Sequence, residues 1–288
     1  MASTFHITHI GTATALIELP GLTILTDPYF SPQGTVWTGA SGAKLCSNYQ
    51  PSKLISELPP LDVVLLSHED HKDNLDDLGR QLLNGRRVMT TIDGSNKLAP
   101  RPGVRGMRPW ESTTIQIGNG PAYTITATPC EHLPGGQCIG FVITTESFGH
   151  THGKPNALYF SGDTVYLSEL FRLENDFHIT TALFCLGSAT VPRPGGQDSM
   201  QITMDGAQAV RLAKTVGADT VLPLHFEGWN HFKEDKQSLQ NAFDTAVDSK
   251  THFSFFEARG KRGLRRKQLK RDELASLEVD SPEHHTKP

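Results

Sequence analysis

The chain has 288 residues, of which 37% are hydrophobic and 20% are charged, which is the composition of an ordinary globular protein. Its net charge of -4 and its pI near 6.3 argue against a nucleic-acid binder and against a binder of anionic membranes. The length suits one hydrophobic core, or two fused half-domains packed face to face.

Cysteine usage and the N-terminus both favour a cytoplasmic protein. The four cysteines form no C-x-x-C pair, and scattered cysteines in a chain of this length are typical of reduced thiols. The sequence MASTFHITHIG has no basic region followed by an apolar stretch, as a secretory signal would have. The longest apolar run, near residues 61–66, is too short to span a bilayer.

Short β-rich segments separated by turn residues open the chain. Gly11 and the Pro20-Gly21 pair separate strands predicted at residues 4–8, 13–19 and 22–26. The polar residues 31–60 are rich in Ser, Gly and Pro and predict a long loop that rims a site. The apolar run at residues 61–66 predicts a buried strand. Leucines at helical spacing then predict a helix over residues 75–83.

The rest of the chain alternates strands with helices. Thr203 can cap a helix that Gly217 ends, and a second helix is expected near residues 235–247. Residues 146–156 have the composition of a hairpin excursion. Further strands are predicted at residues 87–91, 113–117, 123–128, 138–145, 157–160, 182–186, 221–224 and 252–256.

The last thirty residues differ in character from the rest, so we divide the chain into a domain at residues 1–258 and a tail at residues 259–288. Residues 259–271 carry eight Lys or Arg, and the residues after Glu273 are polar and acidic. This pattern favours a solvated helix with a frayed end, and a nucleic-acid-binding arm is the second interpretation.

The segment SHEDHKDNLD at residues 67–76 directly follows the strand predicted at residues 61–66. It places two imidazoles and several carboxylates at a strand-to-helix turn, where side chains can converge at the rim of a sheet. Neutral imidazole and carboxylate are ligands that suit zinc, manganese or iron. A charged, solvated loop before a helix would contain the same residues, so this segment alone leaves both interpretations open.

Three later segments each place one ligand-type residue just after an apolar strand. His132 lies in TPCEH at residues 128–132, Asp163 in SGDT at residues 161–164, and His225 in PLHF at residues 223–226. Any one of them could be a hydrogen-bonded structural group or a helix cap. Because all three follow strand ends, we expect them to meet at one edge of a sheet and to hold a metal ion.

These blocks resemble the metallo-β-lactamase superfamily. The branch they resemble most contains L-ascorbate-6-phosphate lactonase and N-acyl-phosphatidylethanolamine phospholipase D. The resemblance covers roughly residues 5–256 and includes ITHIGTATALIE at residues 7–18 and LTDP at residues 25–28. It implies an α/β fold, a four-layer αββα sandwich, and a metal-dependent hydrolase that holds one or two Zn²⁺ ions, with Mn²⁺ as the alternative.

The family motif Ser-His-x-His-x-Asp-His maps onto residues 67–74 with one extra residue. In the preferred register, His68 and His71 are the two histidines, and Asn74 stands where the family has a third. The other register uses Asp70-His71 as the Asp-His pair and puts Leu66 at the first histidine. A leucine cannot bind a metal, so we prefer the register with the bulge.

The preferred register implies two neighbouring cation positions. The expected ligands of the tighter position are His68, His71 and His132, and those of the second position are Asp73 and His225, with Asp163 bridging the two. Asparagine is a poorer ligand than histidine, so we expect Asn74 to leave the second position weak or empty.

A bound divalent cation lowers the pKa of a water molecule to about 7 and polarises a carbonyl or phosphoryl oxygen. We therefore expect metal-activated water to attack an ester, lactone or amide carbon, with Asp73 orienting the water and accepting its proton. Asp70 is the alternative in that role. Asp27 resembles the family's buried aspartate that orients the ligands from beneath, although an Asp-Pro turn would have the same sequence. Trp229 and Tyr29 lie in loops near these blocks and are candidates for contact with substrate.

Three functions are compatible with these patterns. The first is a lactonase or lactamase that acts on a small cyclic ester or amide, such as an aromatic lactam. The second is a phosphodiesterase of the phospholipase D-like branch, which would need a basic or membrane-facing surface. The third is a metal-poor, non-catalytic relative kept for binding or regulation, and its only support is Asn74 and the bulge. The sequence predicts no oligomeric state, and the expected partner is a small-molecule substrate.

Overall fold

The structure is a computed structural model, and it describes residues 5–38, 44–192, 199–246, 250–256 and 261–264. The first nine strands are β1 (Phe5–Gly11), β2 (Thr14–Leu19), β3 (Leu22–Thr26), β4 (Val36–Thr38), β5 (Lys44–Cys46), β6 (Val63–Leu65), β7 (Arg87–Thr91), β8 (Val104–Met107) and β9 (Ser112–Gln116). The next ten are β10 (Ala122–Pro129), β11 (Ile139–Thr144), β12 (His150–Thr151), β13 (Lys154–Phe160), β14 (His178–Cys185), β15 (Thr190–Val191), β16 (Met200–Gln201), β17 (Thr220–Leu224), β18 (His252–Phe253) and β19 (Lys261–Leu264).

The helices are short and lie between the strands. They are α1 (Asp77–Leu82), α2 (Ile92–Leu98), α3 (Phe171–Asp176), α4 (Gly206–Val216) and α5 (Lys236–Asp244). Within the described ranges, none of these helices has the length and apolar character needed to cross a membrane.

The first sheet has seven strands in the order β19-β1-β2-β3-β6-β7-β8. Strands β3, β6, β7 and β8 run parallel to one another, so their carboxyl ends lie at the same edge. Thr26 at the end of β3 pairs with Leu65 at the end of β6. This pairing brings Asp27 next to the segment at residues 67–76.

The second sheet has eight strands. Seven follow the order β18-β17-β14-β13-β11-β10-β9, and β12 pairs with β13. Strands β13, β14, β17 and β18 are parallel. Parallel strands covered on both faces are apolar almost throughout, and every residue of β17 is buried. The chain leaves three adjacent strands at one edge, after Phe160, Cys185 and Leu224.

The main core lies between the two sheets, where Ile17 of the first packs in one cluster with Phe141 of the second. Helices α3, α4 and α5 cover the outer face of the second sheet, with Leu212 of α4 in that cluster. On the outer face of the first sheet, Leu98 of α2 packs among strand residues. The chain therefore forms helix, sheet, sheet and helix layers, and the αββα sandwich implied by the resemblance is confirmed.

Most predicted elements are present, and the differences have local causes. Helix α4 begins at Gly206, because the side chain of Asp205 rather than that of Thr203 accepts the capping hydrogen bond, from Gln208 N. Gly217 ends α4 in a left-handed conformation, as predicted. Residues 31–60 contain the β4–β5 hairpin within the expected loop. Helices α2 and α3 and strands β8, β15 and β16 are additional elements.

The basic segment at residues 259–271 differs from its prediction. Residues 261–264 form β19, which pairs antiparallel with β1 and extends the first sheet, so the solvated helix expected there is wrong for these residues. The remainder of the tail lies outside the described residues. The division at residue 258 stays a prediction.

Candidate metal centre

The strand ends of both sheets bring the ligand-type residues of the sequence to one place. His68 and His71 follow β6 of the first sheet. His132, Asp163 and His225 follow β10, β13 and β17 of the second sheet. These side chains lie in contact with one another although they are far apart along the chain.

Three imidazoles form the first group of side chains. The ring centroids of His68 and His71 are 4.6 Å apart, and those of His68 and His132 are 5.1 Å apart. The Nδ1 atom of His71 and the Nε2 atom of His132 are separated by 3.2 Å. Two nitrogens bound at about 2.0–2.1 Å to one tetrahedral zinc ion would lie roughly 3.3 Å apart, so this spacing fits a shared cation.

Backbone and side-chain partners orient these rings. The Nδ1 atom of His132 donates to the carbonyl of Ile202 at 2.6 Å, so its Nε2 atom is unprotonated and presents its lone pair on the side of His71. The Nδ1 atom of His68 lies 2.8 Å from the hydroxyl of Ser67. That hydroxyl donates its proton to Asp27 at 2.6 Å, so it must accept from His68. The Nε2 atom of His68 is buried and makes no hydrogen bond with the described residues.

Asp27 lies beneath the motif and connects its two ends. Its carboxylate accepts hydrogen bonds from the Ser67 amide at 2.7 Å and from the Asn74 side chain at 3.0 Å, besides the Ser67 hydroxyl. Burial raises the pKa of Asp27 to about 7, and the hydrogen bonds from Ser67 oppose that shift. The contacts fit the orienting role that the resemblance implies for Asp27.

A second group of side chains lies beside the imidazoles. The Nδ1 atom of His225 is 2.9 Å from Asp163, and its Nε2 atom is 3.4 Å from Asp73. Asp163 also lies 3.9 Å from His132, so its carboxylate stands between the two groups, where a bridging ligand is expected. Cys185, the last residue of β14, is within ligand distance of Asp163 and His225.

The charges of this second group suit a cation. Burial would lower the pKa of His225, but the neighbouring Asp163 raises that pKa well above its usual range, so the imidazole supplies a positive charge that a metal ion can replace. The carboxylates of Asp73 and Asp163 are both buried, and among the described residues their ion-pair partners are all imidazoles. Burial would raise the pKa of Asp163, but the neighbouring His225 outweighs it and holds that pKa well below its usual range. Buried carboxylates that stay charged are typically paired or bound to a metal ion.

The imidazoles of the first group are suited to bind that metal. Burial lowers the pKa of His68, and the neighbouring His71 and His132 lower it further. Burial lowers the pKa of His132 as well. A neutral imidazole presents the lone pair that a metal needs. The donor set of three imidazoles beside two carboxylates and a fourth imidazole therefore fits a zinc-type centre with one or two ions.

Three motif residues have environments that the sequence does not specify. The carboxylate of Asp70 is 38% exposed and lies 3.8 Å from Lys97, and the role of Asp70 as the alternative catalytic carboxylate stays a prediction. Asn74 is fully buried and donates to Asp27. Asp76 caps α1 by accepting from Gly79 N at 2.6 Å.

Two residues near the cluster were missed by sequence reasoning. The Nε2 atom of His231 lies 3.6 Å from Asp73, although His231 follows no strand end and matches no motif block. Cys185 is the last residue of an apolar strand, and its place at a strand end is the sequence feature that could have identified it. Burial raises the pKa of Cys185 well above its usual range, which favours the thiol, a poor metal ligand.

The two aromatic candidates for substrate contact lie against each other. The rings of Tyr29 and Trp229 meet edge to face with centroids 5.1 Å apart, and both side chains are buried. The Tyr29 hydroxyl and the Trp229 indole N–H make no hydrogen bond within the described part of the chain. Unsatisfied buried donors are costly, so their presence indicates groups that a ligand or water can pair.

Comparison with known proteins agrees with this arrangement. A family model described as "Beta-lactamase superfamily domain" matches residues 23–226. A UPF0173 metal-dependent hydrolase of Exiguobacterium is 25% identical over 247 residues, which cover 81% of this chain and 91% of the relative. A UPF0173 metal-dependent hydrolase of Methanoregula boonei is 26% identical over 153 residues, which cover 50% of this chain and only 57% of that relative.

A solved structure shares the fold over nearly its whole length. Isothiocyanate hydrolase from Delia radicum gut bacteria aligns with a TM-score of 0.69 at 20% sequence identity, and the alignment covers 90% of this chain and 98% of that one. At this identity the likeness shows the fold. The metal-dependent hydrolases among the relatives count against the metal-poor, non-catalytic alternative.

Proposed function

This chain belongs to the beta-lactamase superfamily and is a metal-dependent hydrolase, and on that premise we propose that its substrate is a small cyclic ester or amide. A lactonase or lactamase of this kind needs a site that activates water next to an electrophilic carbon. The observation that carries the proposal is the convergence of three imidazoles with Asp163 and His225 at the strand ends. Membership in the branch that contains the lactonase stays a prediction, and so does the cytoplasmic location.

Each side chain of the cluster has a proposed task. When bound, the metal supplies a lowered pKa for water and polarises the carbonyl oxygen of the substrate. His68, His71 and His132 would hold the ion, and Asp163 stands where it could contribute to both positions. Asp73 lies at the edge of the cluster, where its carboxylate can orient the attacking water and accept its proton. Zn²⁺ is the proposed ion, with Mn²⁺ as the alternative.

A substrate panel with a chelation arm tests the proposed function. We expect metal-loaded protein to hydrolyse aromatic lactones or lactams with a kcat/KM at least tenfold above that for phosphodiesters. EDTA should abolish turnover, and Zn²⁺ or Mn²⁺ should restore it. Isothiocyanates belong in the panel, because a protein of the same fold hydrolyses them and their central carbon is also open to attack by water.

The panel separates the alternatives by outcome. Faster turnover of a phosphodiester would replace the proposal with the phosphodiesterase of the phospholipase D-like branch. Hydrolysis that EDTA leaves unchanged would overturn the metal-dependent mechanism.

Tyr29 provides a test of the substrate side of the site. Because its buried hydroxyl makes no well-formed hydrogen bond with the described residues, Tyr29→Phe should leave the melting temperature unchanged or slightly raised. If that hydroxyl pairs with substrate, KM should rise roughly five- to tenfold, which is the loss of one hydrogen bond of about 1 kcal/mol. Steady-state kinetics and a melting curve measure both.

The matched control is Tyr123→Phe. The Tyr123 hydroxyl donates to the carbonyl of Pro20 at 2.9 Å, so its loss should lower stability and leave KM unchanged. An unchanged KM in the Tyr29 variant would remove Tyr29 from the proposed substrate contacts.

A further inference from the structure

We propose that His231 supplies a metal-binding nitrogen to the second cation position and takes the place that the family motif gives to residue 74. The inference deepens the proposed function and rests on it, because it assigns a ligand of the same centre. It concerns a loop residue that no motif block contains.

Asn74 is held away from a ligand role by its own hydrogen bond. Its side-chain nitrogen donates to Asp27 at 3.0 Å, and the residue is fully buried. An amide nitrogen that donates a proton has no lone pair to offer a cation. The amide oxygen of Asn74 makes no hydrogen bond with the described residues, so it is the competing ligand atom that the experiment must separate from His231.

His231 shares one carboxylate oxygen with His225. The Oδ2 atom of Asp73 lies 3.6 Å from the Nε2 atom of His231 and 3.4 Å from the Nε2 atom of His225. Ligands of one tetrahedral zinc ion, bound at about 2.0–2.1 Å, would lie roughly 3.3 Å apart. Each imidazole therefore lies from Asp73 at close to the spacing of two ligands that share one ion. With asparagine at residue 74, the second position lacks the imidazole that the family motif provides there. His231 offers an imidazole.

The loop that carries His231 is built into the fold. The Asn230 side chain accepts from the Cys46 amide at 2.9 Å and donates to the Lys44 carbonyl at 3.1 Å. Ser47 forms an isolated antiparallel bridge with Trp229. These contacts join residues 229–230 to β5 and hold the next residue, His231, at the cluster.

The ring of His231 is fixed by aromatic neighbours. It lies 4.5 Å from Phe232 and 6.1 Å from Trp229, measured between ring centroids. Its side chain is 23% exposed, and its Nδ1 atom is buried without a hydrogen-bond partner in the described structure. A histidine placed only for packing would not need a nitrogen directed at a buried carboxylate. This orientation points to a ligand.

Titration of the full-length apoprotein with Co²⁺ tests the assignment. Visible absorption reports the ligand set, and equilibrium dialysis gives the number of bound ions per chain. We expect wild-type protein to bind two ions. His231→Ala and the closer isostere His231→Gln should keep the first and bind the second at least tenfold more weakly, with a changed absorption band.

Three control variants separate the competing explanations. Asn74→Ala should keep two ions, because residue 74 is not the ligand. His150→Ala replaces an exposed histidine and should behave as wild type. His68→Ala should weaken the first ion instead of the second. Circular dichroism of each apoprotein checks that the fold is retained.

The outcomes distinguish this inference from the proposed function. If wild-type protein binds no Co²⁺, the metal-dependent function itself fails. If wild-type protein binds two ions and both His231 variants also bind two with unchanged affinity, only the His231 assignment fails. Loss of the second ion in Asn74→Ala but not in the His231 variants would make the Asn74 oxygen the ligand. A single ion in wild type would also overturn the assignment.

Discussion

Replacing His68 and His132 together with alanine is expected to lower kcat/KM for the best substrate by at least about a thousandfold, or about 4 kcal/mol of transition-state stabilisation. The two changes remove two of the three nitrogens that meet in the first group. The remaining His71 is half-buried, and alone it cannot hold an ion tightly. Kinetics and metal analysis of the same preparation measure the effect.

A matched double variant separates the loss of the site from a general effect of removing histidines. His6 and His150 are both exposed and lie on β1 and β12. His6→Ala combined with His150→Ala should keep wild-type kinetics and metal content. Full turnover in the His68, His132 variant would show that the three-imidazole group is not the catalytic centre.

The apoproteins give a second test of the same variant. Buried His68 and His132 are neutral and have their Nδ1 atoms paired, so without metal the wild type gains little from their Nε2 atoms. Zn²⁺ should therefore raise the melting temperature of the wild type, since a ligand that binds only the folded state stabilises it. The same addition should raise the melting temperature of the variant by a smaller amount, because only the second cation position remains to bind an ion.

Residues that follow parallel strands could be placed from the sequence because of one rule of sheet geometry. The carboxyl ends of parallel strands meet at the same edge, so Asp163 and His225 had to lie close together once β13 and β17 were recognised as such strands. The composition of the chain did not predict that the strands form two sheets packed face to face. The αββα arrangement came from the resemblance and is confirmed by the structure.

His231 could not be placed in the same way. Its position depends on hydrogen bonds between Asn230 and the β5 region, which is more than 180 residues away along the chain. No periodicity or spacing in the sequence predicts a contact of that kind. The β4–β5 hairpin lies inside the polar residues 31–60, which the sequence predicted only as a loop.

The sequence of the motif does not show that Asp73 and Asp76 have different roles. The sequence shows Asp73 and Asp76 three residues apart, as equivalent ligand candidates by residue type. The structure puts Asp73 at the cluster and Asp76 at the start of α1. Residue type cannot separate them, because a helix cap and a metal ligand use the same carboxylate oxygens.

Asp76→Ala is expected to lower the free energy of unfolding by about 3–5 kcal/mol, a large effect for one side chain. One carboxylate oxygen accepts from the amides of Phe30 and Ser31, at 3.0 and 2.6 Å, and from the Ser31 hydroxyl at 2.5 Å. The other accepts from Gly79 at 2.6 Å. Alanine would leave three buried amides without an acceptor in a place fully closed to solvent.

Denaturant unfolding of the apoprotein measures this loss without any contribution from metal. The adjacent Asp77 is the control, because its side chain is 67% exposed and pairs with Lys72 at the surface. Asp77→Ala should cost less than about 1 kcal/mol. Asp76→Asn keeps the shape of the side chain but loses one acceptor, so its stability should lie between the alanine variant and the wild type.

Unfolding measured with and without Zn²⁺ distinguishes the metal-binding residues of the motif from those that stabilise the fold. Asp73→Ala removes a buried carboxylate of the second cation position, so it should weaken the second ion and reduce, without abolishing, the stabilisation by Zn²⁺. Asp76→Ala should do the reverse, destabilising the apoprotein while a folded fraction still binds metal. Equal apoprotein stability in Asp76→Ala and wild type would mean that the loop at residues 28–31 does not depend on this carboxylate. The cap would then not position Tyr29 beside the cluster.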